Sequence, residues 1–215
     1  MQKKTYAVLG LGRYGTAVAK ELVKSGMEVI AVDKNEQIVQ DSSAYLPICK
    51  CADITDHEVI SELGISNVDV VIVAMASSLE GSILAITLCK EAGVKTVIAK
   101  CANETHRKIL KRVGADTVVF PENESGTRLA KNLLTSGFTD ILTLSDDLSL
   151  VELATRDEWV GKSLKELNLR KKYTVNVVAF RKNGKITAPV NPEELLDKDT
   201  EIIAIVNTAK LSKLK

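Results

Sequence analysis

The stretch of sequence that decides the fold is Val8-Leu9-Gly10-Leu11-Gly12-Arg13-Tyr14-Gly15. An apolar strand ends just before this loop and a helical pattern starts at its end, so the GxGxxG spacing stands in the context that makes it specific for phosphate binding. Gly10 allows a tight turn, Gly12 removes a side chain where a phosphate approaches, and Gly15 lets the helix lie against the strand. The N-terminus of that helix supplies unpaired N–H groups and positive potential for an anion.

The same alternation of strand and helix continues through the first 120 residues, with short links and a glycine after most helices. This pattern predicts a doubly wound α/β fold of the Rossmann type, with a parallel sheet whose switch point lies between the first and fourth strands. The predicted strands are 6–9, 29–32, 46–49, 70–73, 96–99 and 117–120, and the predicted helices between them are 14–25, 36–43, 57–63, 79–92 and 104–113.

The alternation stops after residue 120, which divides the chain into three predicted parts. Residues 1–120 form the nucleotide-binding domain, residues 121–138 form a crossover helix that opens at Pro121 and ends near Gly137, and residues 139–215 form a small α+β domain for ligand binding and dimerisation. In that last part we expect strands at 141–144, 148–154, 175–180 and 201–206, a helix at 163–167 and a hairpin turn at Asn183-Gly184. A unit this small is marginal alone, so we expect its strands to pair or pack across a dimer.

Composition excludes several classes of protein. Apolar residues make up 45% and charged residues 27% of the 215 residues, which is ordinary for a globular protein. The 29 basic and 28 acidic residues leave a net charge of +1, whereas a nucleic-acid binder usually has a clear excess of basic residues. The longest apolar run, Val70–Ala76, is far too short to span a bilayer, and no signal segment is visible, so we expect a cytoplasmic protein that reaches a membrane only through a partner.

Four cysteines occur without a CxxC pair, and we interpret all four as buried small hydrophobes, with a redox or metal role as the alternative.

Several polar residues around the glycine loop have two interpretations each. Asp33 ends the second strand, where a carboxylate binds ribose hydroxyls and disfavours NADP; alternatively it only caps a turn toward Asn35. Arg13 either reaches a terminal phosphate or faces solvent, and Asp53 either faces the adenine edge or caps the next helix. Residues 74–77, including Ala74 and Ser77, should line the switch point, where Ser77 and Ser78 bind phosphate or cap a helix.

Catalytic chemistry has little support in the sequence. Only two histidines occur, His57 and His106, and both lie in predicted helices of the first domain. The second domain has no histidine, no cysteine and no obvious carboxylate pair. A nucleotide site without catalytic groups indicates a sensor rather than an enzyme.

The chain resembles the regulator-of-potassium-conductance family, which includes the cytosolic subunits of bacterial Ktr and Trk potassium uptake systems. The resemblance covers nearly the whole chain, from about Lys4 to Val206, with both domains in the same order. Besides the glycine loop, the matching segments are Ala52-Asp53-Ile54-Thr55, Ala99-Lys100, Phe120-Pro121-Glu122 and Val160-Gly161-Lys162-Ser163-Leu164-Lys165-Glu166-Leu167-Asn168-Leu169-Arg170.

The family implies a ligand and an assembly for the first domain. It implies binding of ATP, ADP or NAD(H), pairing of subunits through the crossover helix, and an octameric ring beneath a membrane-embedded potassium transporter subunit of the Ktr or Trk type. Arg13 would reach the terminal phosphate, in its own or a neighbouring subunit. Glu122 would hold a divalent cation, Mg²⁺ or Ca²⁺; alternatively it is an acidic residue favoured by the helix dipole. The nucleotide-binding set is Gly10, Gly12, Arg13, Tyr14, Gly15, Asp33, Lys34, Asp53, Ile54, Ala74, Ser77 and Lys100.

For the second domain, the resemblance implies cyclic di-AMP binding at the dimer interface, at Arg170, Asn176, Val177 and Pro189. The sequence departs from the family pattern at Lys171-Lys172-Tyr173-Thr174, and the alternative is that these positions shape an ordinary small sheet. Two other functions compete with a transporter subunit. One is an NAD-dependent oxidoreductase, and the other is a soluble nucleotide or redox sensor that acts on a different partner.

Overall fold

The computed structural model describes residues 4–134, 138–145 and 147–214. The chain divides into two compact units, Met1–Pro121 and Glu122–Lys215. None of the helices in the described ranges has the length and apolar character that a membrane span requires.

The first unit is the doubly wound α/β domain that the sequence predicts. Its six parallel strands have the order β3-β2-β1-β4-β5-β6, which places the switch point between β1 and β4 and confirms the prediction. The strands are β1 (Thr5–Leu9), β2 (Glu28–Asp33), β3 (Ile48–Cys51), β4 (Val70–Val73), β5 (Thr96–Lys100) and β6 (Thr117–Val119), and the helices are α1 (Arg13–Lys24), α2 (Glu36–Ser43), α3 (His57–Glu62), α4 (Leu79–Glu91) and α5 (Glu104–Arg112).

Burial on both faces of the sheet explains its composition. Every residue of β4 is buried, and separate apolar clusters cover the two faces. Small and β-branched side chains suit strands that helices cover on both sides, which is why so few aromatic residues suffice for the core. Because β1 and β4 are neighbouring parallel strands, their carboxyl ends lie side by side at one edge of the sheet.

The prediction was wrong about the position of β3. We expected a strand at residues 46–49, but the strand begins at Ile48. Leu46 is buried, yet its N–H donates to the carbonyl of Ser42, so it still belongs to the turn that ends α2. The apolar pattern alone could not separate a buried turn residue from a strand residue.

The four cysteines divide into two kinds. Cys89 and Cys101 are buried in the core as predicted, and burial raises the pKa of the Cys89 thiol to about 12. Cys49 is half-buried, and Cys51 is exposed, so the prediction of burial was wrong for Cys51. The reason is that β3 is an edge strand, which has no neighbouring strand on one side.

The second unit is a small antiparallel domain with the strand order β10-β9-β11-β8-β7. The predicted hairpin turn is confirmed, because Asn183 and Gly184 both adopt positive φ, 52° and 74°, between β9 and β10. The sequence did not predict the short strand β10 (Lys185–Thr187) or the short helix α8 (Leu169–Tyr173). The predicted end of the crossover helix near Ser136 and Gly137 lies outside the described residues. The elements are α6 (Pro121–Leu134), β7 (Phe138–Thr143), β8 (Leu148–Ala154), α7 (Leu164–Leu167), α8 (Leu169–Tyr173), β9 (Asn176–Lys182), β10 (Lys185–Thr187) and β11 (Glu201–Asn207).

Candidate nucleotide site

A cleft of about 590 Å³ opens at the carboxyl ends of β1, β2, β4 and β5, across the switch point. This is the edge of a doubly wound sheet where ligands bind. The cleft collects residues from loops that are far apart in sequence. They are Gly10, Gly12, Val32, Asp33, Lys34, Ile38, Ala52, Asp53, Ile54, Thr55, Ala74, Met75, Ala76, Ser77, Ser78, Glu80, Gly81, Leu84 and Lys100.

The three glycines of the loop have different physical roles. Gly10 has a φ of +97°, and a Cβ there would lie 2.7 Å from Cγ of Met75. A Cβ on Gly15 would lie 1.9 Å from the carbonyl oxygen of Gly10, so helix α1 could not approach β1 as closely with any other residue. A Cβ on Gly12 would meet nothing within 4 Å. The fold therefore requires Gly10 and Gly15, whereas Gly12 leaves open space on the cleft.

The N-terminus of α1 begins at Gly12, which lines the cleft. No side chain caps it within the described residues, and its first turn contains no acidic residue. The four helices that follow are each capped by a side chain and carry an acidic residue in the first turn; the caps are Asn35, Asp56, Ser78 and Asn103. The positive end of the α1 dipole is therefore not offset by a capping or acidic side chain, unlike that of the four helices that follow.

Asp33 connects the glycine loop to the end of β2. One carboxylate oxygen accepts a hydrogen bond from the N–H of Leu11 at 2.7 Å, and the other accepts from the N–H of Asn35 at 2.9 Å. Asp33 therefore caps the turn toward Asn35 and, through Leu11, fixes the glycine loop, while its role as a ribose ligand stays a prediction. A carboxylate has about four lone-pair sites, so it retains acceptors on the cleft for ribose hydroxyls.

Asp53 lies across the cleft, in the loop after β3. Its carboxylate accepts from the hydroxyl of Thr55 at 2.7 Å and from the N–H of Thr55 at 3.0 Å. Those two hydrogen bonds, the one from the hydroxyl first, lower the pKa of Asp53 below its usual value. Asp53 is therefore an acceptor that shapes the Asp53–Thr55 turn. The interpretation of Asp53 as the cap of the next helix was wrong, because Asp56 caps α3, and its contact with the adenine edge stays a prediction.

The other half of the cleft follows β4 and β5. Ser78 caps α4 by accepting from the N–H of Gly81 at 3.0 Å, whereas Ser77 is exposed on the cleft and makes no such cap. Lys100 ends β5 and brings a positive charge to the lining, with its Nζ 5.7 Å from the ring centroid of Tyr14. This half combines an apolar surface at Ala74 with the hydroxyls of Ser77 and Ser78 and with two opposite charges, at Glu80 and Lys100.

Some predicted residues do not line the cleft. Gly15 and Tyr14 lie behind it in α1, where Tyr14 packs on the apolar cluster beneath the helix. Arg13 is exposed, lies outside the lining, and forms no hydrogen bond or ion pair with the described residues. Its interpretation as a phosphate ligand stays a prediction.

Sequence reasoning missed Ile38, Glu80 and Leu84, which line the cleft from α2 and α4. Their position depends on how each helix lies on the sheet, and no local motif marks it. The predicted helix-surface positions of His57 and His106 are confirmed, since His57 is exposed and His106 is half-buried.

The residues predicted for other ligands lie elsewhere. Glu122 is exposed in the first turn of α6, and the described residues contain no group of three side chains placed to hold a metal ion. Arg170 is exposed on α8, Asn176 is exposed at the start of β9 with Val177 half-buried beside it, and Pro189 follows a cis peptide bond after β10.

Comparison with known proteins gives matches for both units. The TrkA-N domain family matches residues 6–121, and the TrkA-C domain family matches residues 148–215. The chain is 34% identical over 213 residues to the Ktr system potassium uptake protein C of Bacillus subtilis, with 99% of this chain and 96% of the relative covered. It is also 34% identical over 213 residues to the Ktr system potassium uptake protein A of Vibrio alginolyticus, with 99% and 97% covered.

Solved structures agree about the fold. The GsuK channel bound to NAD superposes with a TM-score of 0.68 at 17% identity, and the match covers 99% of this chain and 39% of the channel chain. At that identity the similarity establishes the fold alone. The two domain matches and the full-length relatives place the chain in the regulator-of-potassium-conductance family, as a protein with one TrkA-N and one TrkA-C domain.

Proposed function

We propose that this protein is a regulatory subunit of a Ktr- or Trk-type potassium uptake system, and that a nucleotide in the cleft of its first domain gates ion flux through a membrane-embedded partner. The observation that carries the proposal is the uncapped, acid-free N-terminus of α1 on an open cleft, in a chain that aligns along its full length with Ktr potassium uptake proteins.

The cleft offers a partner for each part of an adenine nucleotide. The first N–H groups of α1 bind phosphate, with Gly12 leaving room for its approach. Asp33 accepts from the ribose hydroxyls, and the apolar side chain of Ile54 beside Asp53 receives the base. Lys34, Ala74, Ser77 and Lys100 line the cleft and complete the proposed set, whereas a contact from Tyr14, which lies outside the lining, stays a prediction.

Two kinds of ligand fit this proposal, ATP or ADP on the one hand and NAD(H) on the other. Both contain the same adenosine and first phosphate, so the residues of the glycine loop do not distinguish them. The lining continues past β4 to Ser77 and Lys100, which suits a second half of a dinucleotide or a longer phosphate chain. A carboxylate at Asp33 would repel a 2′-phosphate, which disfavours NADP.

Gating requires that the ligand bind two shapes of the assembly with different affinity. The γ-phosphate is the natural discriminator, because it adds charge that Arg13 and a divalent cation held at Glu122 would detect. The exposed position of Arg13, outside its own cleft, is consistent with contact to a nucleotide in a neighbouring subunit.

The proposed assembly is a homodimer paired through α6, with dimers forming an octameric ring on the cytoplasmic face of the membrane. Its support here is the apolar surface of α6, where Leu129, Leu133 and Leu134 are 59%, 78% and 80% exposed. Apolar side chains this exposed on one helix are typical of an interface. Cyclic di-AMP binding at Arg170, Asn176, Val177 and Pro189 stays a prediction from the family resemblance.

The decisive experiment couples ligand binding to transport. The chain and a Ktr- or Trk-type membrane subunit are reconstituted in proteoliposomes, and potassium flux is measured with ATP, ADP, NAD and NADH while calorimetry gives each affinity. We expect flux to depend on the chain and to differ between at least two of the ligands. Nucleotide binding without any effect on flux would favour a sensor for another partner, and turnover of NADH with a substrate would favour the oxidoreductase alternative.

A further inference from the structure

The first turn of α4 lies directly beside the glycine loop. A Cβ on Gly10 would lie 2.7 Å from Cγ of Met75, and a Cβ on Gly81 would lie 3.4 Å from Cε of the same side chain. A single methionine side chain therefore fills the space between the two segments. Glu80 precedes Gly81 in α4 and lines the same cleft, so it is close to the proposed phosphate position.

Hydrogen bonds fix the turn that carries Glu80. The hydroxyl of Ser78 accepts from the N–H of Gly81 at 3.0 Å. The hydroxyl of Ser82, which is buried, is shared between the carbonyl oxygen of Met75 and that of Ser78, the latter at 2.9 Å. The fold therefore sets the position of Glu80 beside the loop.

The negative charge of Glu80 has no partner among the described residues. Glu80 is exposed and forms no hydrogen bond or ion pair with any of them. The two cations of the lining have other neighbours. Lys34 interacts electrostatically with the carboxylate of Asp53, and Nζ of Lys100 lies 5.7 Å from the ring centroid of Tyr14, at the start of α1.

The lining of the cleft as a whole contains one more acidic than basic side chain. The acidic ones are Asp33, Asp53 and Glu80, and the basic ones are Lys34 and Lys100. Arg13 lies outside this lining. The dipole of α1 favours the phosphate that sits at its N-terminus, but each further negative charge of a ligand is opposed by the sign of the lining.

We propose that Glu80 selects among nucleotides by charge and acts against a terminal phosphate. This inference rests on the proposed nucleotide site and names the residue that ranks its ligands. ADP and NAD bind the cleft more tightly than ATP as long as no positive charge is supplied from outside the cleft. ATP needs such a charge, from a divalent cation or from the guanidinium of a neighbouring subunit. Binding of ATP is thereby coupled to the assembly more strongly than binding of ADP.

The test compares the affinities of ATP, ADP and NAD for the full-length protein by calorimetry in EDTA. Glu80→Gln keeps the size of the side chain and removes its charge. We expect this variant to bind ATP about tenfold and ADP about threefold more tightly, with NAD within about twofold of the wild type, because repulsion grows with the charge of the ligand. Glu80→Lys should raise the affinity for ATP further.

Glu91→Gln is the matched control. Glu91 is exposed at the other end of α4 and lies outside the lining, so this variant should leave all three affinities unchanged. High salt gives a readout that a change of shape would not move. The gain of Glu80→Gln for ATP should shrink to about twofold at ~1 M salt, because salt screens exposed charges.

The proposal is overturned if the ratio of ATP to NAD affinity in Glu80→Gln and Glu80→Lys equals that of the wild type. It is also overturned if the gain is the same for all three ligands, persists at high salt, or appears equally in Glu91→Gln. A wild-type protein that binds none of the three nucleotides would overturn the proposed function as well. Nucleotide binding that changes potassium flux, with an unchanged ratio in both Glu80 variants, would overturn only the selection by charge.

Discussion

Helices α1 and α4 both start at the carboxyl end of a central strand and point at the same cleft, but their N-termini differ. Ser78 caps α4 and Glu80 lies in its first turn, so the orphan N–H groups and the dipole are partly satisfied within the protein. Helix α1 starts at Gly12 without a cap and without an acidic residue. Under the proposed function, the phosphate binds at the helix N-terminus that lacks both a capping side chain and an acidic residue.

The largest effect should come from Gly15→Ala, because the new Cβ would lie 1.9 Å from the carbonyl oxygen of Gly10. The helix cannot move away without disrupting the sheet edge, so we expect a loss of at least ~3 kcal/mol in the free energy of unfolding, measured by urea denaturation. Gly126→Ala is the matched control, since a Cβ there meets nothing within 4 Å and the residue lies inside α6. The control should be neutral or stabilising by up to about 1 kcal/mol, and equal losses in both would contradict the packing argument.

Gly12→Asp would make α1 resemble the capped helices. The carboxylate would accept from the first N–H groups of α1 and repel a phosphate, so nucleotide affinity should fall roughly 100-fold while the fold is kept. Isothermal calorimetry with ATP and NAD measures the loss, and thermal unfolding checks the fold. Gly12→Ala is the control, because its Cβ has open space and brings no charge. If Gly12→Asp binds nucleotide as tightly as Gly12→Ala, the uncapped N-terminus is not the phosphate site.

Arg13→Ala tests how the first turn of α1 distinguishes ligands. We expect ATP affinity to fall about tenfold more than ADP or NAD affinity, because a guanidinium binds the added charge of a terminal phosphate. Lys24→Ala is the control, since Lys24 carries the same charge at the opposite end of α1 and is exposed. Calorimetry with the three ligands gives the ratios. Equal losses for ATP, ADP and NAD would contradict this role for Arg13.

The capped and uncapped helices also explain how much the sequence could predict. The strand order and the glycine loop follow from local patterns, because apolar runs indicate buried strands and glycines indicate tight turns. The contrast in caps is visible in sequence as well, since Asn35, Asp56, Ser78 and Asn103 precede their helices and Gly12 precedes α1. The same local signals offered the turn role of Asp33 as an alternative, but they did not show that Asp56 rather than Asp53 caps α3.

Features that depend on tertiary packing were not predictable. The five-residue helix α8 has no apolar period, and its ends are set by positive φ values of 48° at Asn168 and 59° at Thr174. Strand β10 has three exposed residues, so no burial pattern marks it. Ile38 and Leu84 reach the cleft from different helices, and Glu80 lies beside the glycine loop only once the first domain has folded.

The smallest effect should come from Asn103→Ala, which removes a cap from a helix away from the cleft. The side chain of Asn103 accepts from the N–H of His106 at 2.9 Å, so its loss should cost about 1 kcal/mol of unfolding free energy. Nucleotide affinity should stay within about twofold of the wild type, because α5 contributes no residue to the cleft. Asn103→Asp restores an acceptor at the same position and should recover the stability. If Asn103→Ala lost as much nucleotide affinity as Gly12→Asp, general destabilisation rather than the uncapped N-terminus of α1 would control binding.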